Sequence, residues 1–106
     1  MKVIRSDEAK ALNRHKESRS YYQLDGIELC LVHSTISDVV EPDFHAHPFP
    51  EIVICLEGSI SVQTLFATPL TPGDLVYFEA GEHHRSLRPS PGAKLIAIKL
   101  GPPPRE

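Results

Sequence analysis

Ten prolines and six glycines in 106 residues limit what this chain can build. They fall mostly between short apolar runs. Proline inside a helix removes a hydrogen bond and clashes with the preceding turn, and Gly/Pro clusters between apolar runs mark turns. No stretch carries the length and period of a convincing helix, while runs such as Ile27–Val32 and Ile52–Leu56 have the length of strands. About eight short strands between turns make an all-β domain, a sandwich or a barrel. No internal repeat at solenoid or propeller period is visible.

In chain order, residues 1–20 are polar and charged and are expected to form an N-terminal arm, with Ser6 able to cap a helical turn. The barrel is expected over 21–100, and the tail GPPPRE (101–106) as disordered. Tyr21–Leu24 and Ile27–Val32 read as a hairpin across Asp25-Gly26. Ile36–Phe44, interrupted by Pro42, is a weaker strand that delivers His45. Ile52–Leu56 is apolar throughout, as in a strand covered on both faces. Glu57-Gly58 turns into a strand at Ser59–Phe66, and Thr68–Pro72 is a second turn. Leu75–Phe78, His84–Leu87 and Ala93–Leu100 complete the set, with turns at Glu79–Gly81 and Pro89–Gly92.

The net charge of −3 suggests no nucleic acid or other polyanion as partner. Nothing approaches the run of about 18 apolar residues that a membrane span needs. The start, MKVIRSDEAK, lacks a signal peptide's apolar core, so a cytoplasmic location is the default expectation. There Cys30 and Cys55 are expected as free thiols.

The chemistry concentrates in HAHPFPEIVICLEG, from His45 to Gly58. Residues i and i+2 of a strand project from one face, so His45 and His47 can reach one cation. Pro48 and Pro50 impose a bend, and Glu51 then approaches from another direction. The segment from Gly73 to His84 supplies a further histidine, His84. Imidazole plus carboxylate without thiolate suits a divalent first-row metal rather than a finger-type zinc. Continuing the alternation from Glu51, Val53 and Cys55 share its face, and Ile52, Ile54 and Leu56 point away. His15 and His33 read as surface histidines.

These residues resemble the two motifs of the small single-domain cupins. His45, His47, Glu51 and Gly58 match the first motif in order and spacing, with Val39 where the family has a leading glycine. Gly73, Gly81 and His84 match the second, with Glu79 replacing a proline and Arg88 an asparagine. The resemblance covers about Leu24 to Leu100 and implies a double-stranded β-helix, or jelly roll, with ligands facing inward near one mouth. Carried over residue by residue, the metal ligands are His45, His47, Glu51 and His84, while His83 points to the opposite face. Iron, manganese, nickel, zinc and copper all stay open.

By alternation and proximity, Phe44, Phe49, Val53, Cys55, Phe66 and Tyr77 are expected to wall a substrate pocket, with Cys55 alternatively a small buried hydrophobe. Arg88 shares the side of His84 and either pairs with a substrate carboxylate or faces solvent. The resemblance implies a small metalloenzyme of dioxygenase, isomerase, decarboxylase or lyase type, acting on a small organic molecule chelated to the metal. The alternative is a non-catalytic sensing barrel working through a partner. The apolar outward face of Ile52, Ile54 and Leu56 leads us to expect a homodimer.

Overall fold

A computed structural model describes residues 1–14, 17–34, 43–87 and 89–101. Among these described residues the nine strands are β1 (Lys10–Arg14), β2 (Glu17–Leu24), β3 (Ile27–Ser34), β4 (Glu51–Glu57), β5 (Ile60–Gln63), β6 (Ala67–Leu70), β7 (Leu75–Phe78), β8 (Arg85–Leu87) and β9 (Lys94–Lys99). They form two antiparallel sheets, one of order β1-β2-β3-β9-β4-β7 and one of order β6-β5-β8. This is the expected all-β jelly roll. Among the described residues the one helical turn is a 3-10 turn at Ser6–Glu8, and no helix is long and apolar enough to cross a membrane.

The expected hairpin forms, with Leu24 paired to Ile27 across Asp25-Gly26. Two expectations are corrected. Residues 10–14 and 17–20, assigned to a loose arm, are paired into the large sheet. The strand expected at Ser59–Phe66 ends at Gln63, and β6 lies where a turn was expected. β6 contains Pro69, which cannot donate to a ladder, but among the described residues it is an edge strand with β5 on one side alone, where proline is tolerated. The strand expected at Ile36–Phe44 falls largely on residues 35–42, outside the described residues, as do Val39, His15, Arg88 and residues 102–106.

The core lies between the sheets. Val53 and Leu95 of the large sheet meet Ile60, Val62 and Leu70 of the small one, all buried. Each such side chain contributes about 1.5–3 kcal/mol by leaving water. Cys30 and Cys55 are buried free thiols, as expected. Gly58 has φ +73°, and a Cβ there would collide with Ser90 Oγ. That hydroxyl accepts a 2.9 Å hydrogen bond from Ser59 N–H.

Register sorts the large sheet into rows. One inward row runs Gln23, Glu28, Lys99, Glu51, Phe78. The next runs Tyr21, Cys30, Ala97, Val53, Val76, and the third Arg19, Val32, Leu95, Cys55. The outward rows between them differ in character. One is Tyr22, Leu29, Ile98, Ile52, Tyr77; the other is Ser20, Leu31, Ile96, Ile54, Leu75.

Candidate metal centre

His45, His47, Glu51 and His84 converge, each offering a ligand atom within 4.8 Å of all the others. Glu51 opens β4 and points inward. His84 and His45 face each other across an isolated antiparallel bridge, with N–H to carbonyl hydrogen bonds of 3.0 and 2.9 Å in the two directions. The carbonyl of His47 accepts 2.7 Å from Gly81 N–H. The turn before His84 therefore fastens the segment that carries the first two histidines. In that turn Glu79 stands where the family pattern has proline. Its N–H donates 3.1 Å to the Glu82 carboxylate, a bond that proline lacks the hydrogen to make.

The protonation pattern prepares the cluster for a cation. His84 Nδ1 lies 2.9 Å from the Glu82 carbonyl. A carbonyl only accepts, so Nδ1 carries a hydrogen and Nε2 is the nitrogen turned inward. That nitrogen is 2.8 Å from Glu51 Oε1. Two lone-pair atoms so close need a positive centre between or beside them, either a proton or a metal ion that replaces it. His47 Nε2 is buried with no hydrogen-bond partner, and stands 3.8 Å from the same carboxylate oxygen. Burial lowers the pKa of His47, against the pull of Glu51, so this nitrogen favours the neutral form that ligates. Burial would raise Glu51, but the His84 hydrogen bond and the surrounding positive groups outweigh it and hold the carboxyl below its ordinary range. An orphaned buried nitrogen beside a carboxylate and two more imidazoles is a donor set that fits a divalent transition metal.

Two aromatic rings set the imidazole planes. Phe78 stacks on His84 at 3.9 Å and 6°, and Phe49 on His47 at 5.4 Å and 4°. Gly101 admits Phe49, since a Cβ there would lie 2.6 Å from its ring.

The four histidine and glutamate side chains open into a cavity of about 120 Å³. Of the residues expected on the pocket wall, Val53 lines this cavity. Phe49 flanks His47 without lining the cavity. Phe44 is exposed and lies under the Arg85 guanidinium, 4.6 Å from its ring centroid. Cys55 is 1% exposed and belongs to the core beneath the cavity, with Sγ near the Glu57 and Gly58 carbonyls and its thiol pushed up by burial. Phe66 is 78% exposed, because its strand ends at Gln63. Tyr77 is 52% exposed, because the inward residue of β7 at that end is Phe78. His83 is exposed, as expected. Sequence reasoning missed Arg19, Ser86 and Lys99 on the cavity wall. Lys99 shares the inward parity of Leu95 and Ala97, which was the available signal.

The sequence pattern of the family described as Cupin domain matches residues 37–98. A search of the curated proteins found no match. The chain is similar in structure to KdgF from Halomonas sp., at 16% identity and TM-score 0.82 over 96% of each chain. It is similar to a putative mannose-6-phosphate isomerase from Ralstonia eutropha JMP134, at 18% identity and TM-score 0.70, over 81% of this chain and 85% of that one. A deletion mutant of Bacillus subtilis oxalate decarboxylase OxdC is similar at 14% identity and TM-score 0.81, over 97% of this chain and 30% of the larger protein.

Proposed function

The chain belongs to the cupin domain family, and from that premise we propose that it is a metal-dependent enzyme acting on a small organic molecule that chelates the metal. His45, His47, Glu51 and His84 would hold the ion. The observation that carries this reading is the partnerless His47 Nε2, aimed into a group whose other members also present lone pairs. Two fold neighbours named for an isomerase and a decarboxylase support a catalytic role.

A bound divalent transition metal would polarise a chelated carbonyl or carboxylate, or stabilise an enediolate, and four protein ligands leave it open positions. The chain's own residues supply the rest. Glu82, through its carbonyl, fixes the His84 tautomer, an outer contact of the kind that orients a ligating imidazole. Phe78 and Phe49 fix the ring planes. Val53, Ile60 and Leu95 make the far wall apolar, which strengthens electrostatic contacts in the cavity.

The test is a screen of protein loaded in turn with iron, manganese, nickel, zinc and copper against small hydroxy, keto and dicarboxylic acids and phenols. NMR and oxygen uptake are the readouts. Turnover that disappears on chelation and in Glu51→Ala supports the reading. Stoichiometric metal with no turnover of any class would assign a non-catalytic binding barrel instead.

A further inference from the structure

Resting on that metal-enzyme reading, we propose that Lys99 is the seat for an anionic group of the metal-bound molecule, so that the substrate class is a small carboxylate. Lys99 pairs directly with Glu51 across β4 and β9 and with Glu28 across β3 and β9. Directly opposed strand residues have Cβ atoms about 5 Å apart, so Lys99 stands one strand from a metal ligand and lines the same cavity. Glu28 holds it at 3.4 Å, and Gln23 Nε2 in turn donates 3.0 Å to Glu28. Glu28 is buried. A long flexible cation is thereby tethered on the inner face rather than left to reach solvent.

Charge balance gives the chemistry. Glu28 and Glu51 oppose Lys99 and Arg19, so the inner face is formally neutral without metal. A divalent ion adds two positive charges in a cavity whose remaining wall includes Val32, Val53, Ile60, Leu95 and Ala97. The occupant that offsets them is an anion, with one oxygen on the metal and another accepting from Lys99. A cavity of about 120 Å³ is of the order of one that holds benzene. The part of the molecule inside it is therefore about six heavy atoms, the size of a two- to four-carbon oxo or hydroxy acid.

The experiment is calorimetric titration of cobalt-loaded protein with pyruvate and with its uncharged isostere 2,3-butanedione, with cobalt content measured beside it. Lys99→Met is expected to weaken pyruvate about tenfold to a hundredfold and to leave 2,3-butanedione unchanged. Lys99→Arg should recover most of the loss. Removing a cation near a dication should leave cobalt affinity equal or higher, whereas merely structural damage would lower cobalt and pyruvate together. Undiminished pyruvate binding in cobalt-replete Lys99→Met overturns the assignment, as does cobalt-replete wild type that binds pyruvate no better than 2,3-butanedione. Failure of the wild type to take cobalt overturns the metal reading itself, a distinguishable result.

Discussion

On its inner face the six-stranded sheet carries Gln23, Glu28, Lys99 and Glu51 side by side, and on its outer face, in the adjoining row, Tyr22, Leu29, Ile98, Ile52 and Tyr77. An antiparallel sheet with one wet face ordinarily turns its apolar residues in and its charges out. Here part of the pattern is reversed. Charges taken from water cost several kcal/mol unless they are paired, and this row is paired along its length: Gln23 to Glu28, Glu28 to Lys99, and Glu51 to His84. An apolar surface left in water has no such internal remedy. The inner row is satisfied within the chain, while the outer rows leave apolar side chains on the sheet's other surface.

The sharpest way to break this contrast is His84→Ala. Loss of one of four ligands, together with the proton-holding contact to Glu51, is expected to abolish metal retention through gel filtration, whereas exposed His83→Ala should keep it. Equal losses would erase the distinction between the inner and outer faces at this position. Next in size are the neighbours Phe78 and Tyr77 on β7. Phe78→Ala removes a ring that is 2% exposed and should cost about 3–5 kcal/mol by urea denaturation. Tyr77→Ala, at a side chain that is 52% exposed, should cost under about 1 kcal/mol. Similar costs would mean that the outer face is already packed within one chain.

A smaller effect follows from protons. Burial lowers His47, and the His84 contact lowers Glu51. At these two groups the folded chain therefore binds fewer protons than the unfolded chain, and their contribution to stability rises with pH. Metal-free protein should lose thermal stability as pH falls below about 6.5, and again through the carboxylate range. His47→Gln should flatten the upper part of that profile, and a wild-type profile flat between about pH 5 and 7 would contradict the assigned environment. The smallest expected effect is Gly101→Ala. Its Cβ would displace Phe49 and loosen His47, weakening metal by up to about tenfold in a chelator competition. An unchanged affinity would show that the Phe49 stack does not position the imidazole.

The four converging side chains were legible because their spacing carries the information: two residues apart in one short segment, four more past two prolines, then a histidine after a glycine turn, even though His45 makes only an isolated bridge and His47 lies outside any strand. The alternation of β4 was legible for the same reason, since Glu51, Val53 and Cys55 are buried and Leu56 is exposed. Cross-strand partners were not. Glu28 and Lys99 are 71 positions apart, and alternation assigns a face without assigning a neighbour. Leu75–Phe78 is apolar at every position, so its phase was undetermined and Tyr77 was chosen over Phe78. Pro69 disguised an edge strand as a turn. Lys10–Arg14 has two apolar residues in five, too few to announce a strand at the sheet's edge.

The central claim is that the inner face is a metal site. Elemental analysis of tag-free protein tests it most directly, as isolated and after reconstitution with iron, manganese, nickel, zinc or copper. About one divalent transition metal ion per chain is the expected result. No bound metal under any of these conditions would contradict it, leaving His45, His47, Glu51 and His84 as polar groups of a metal-free pocket.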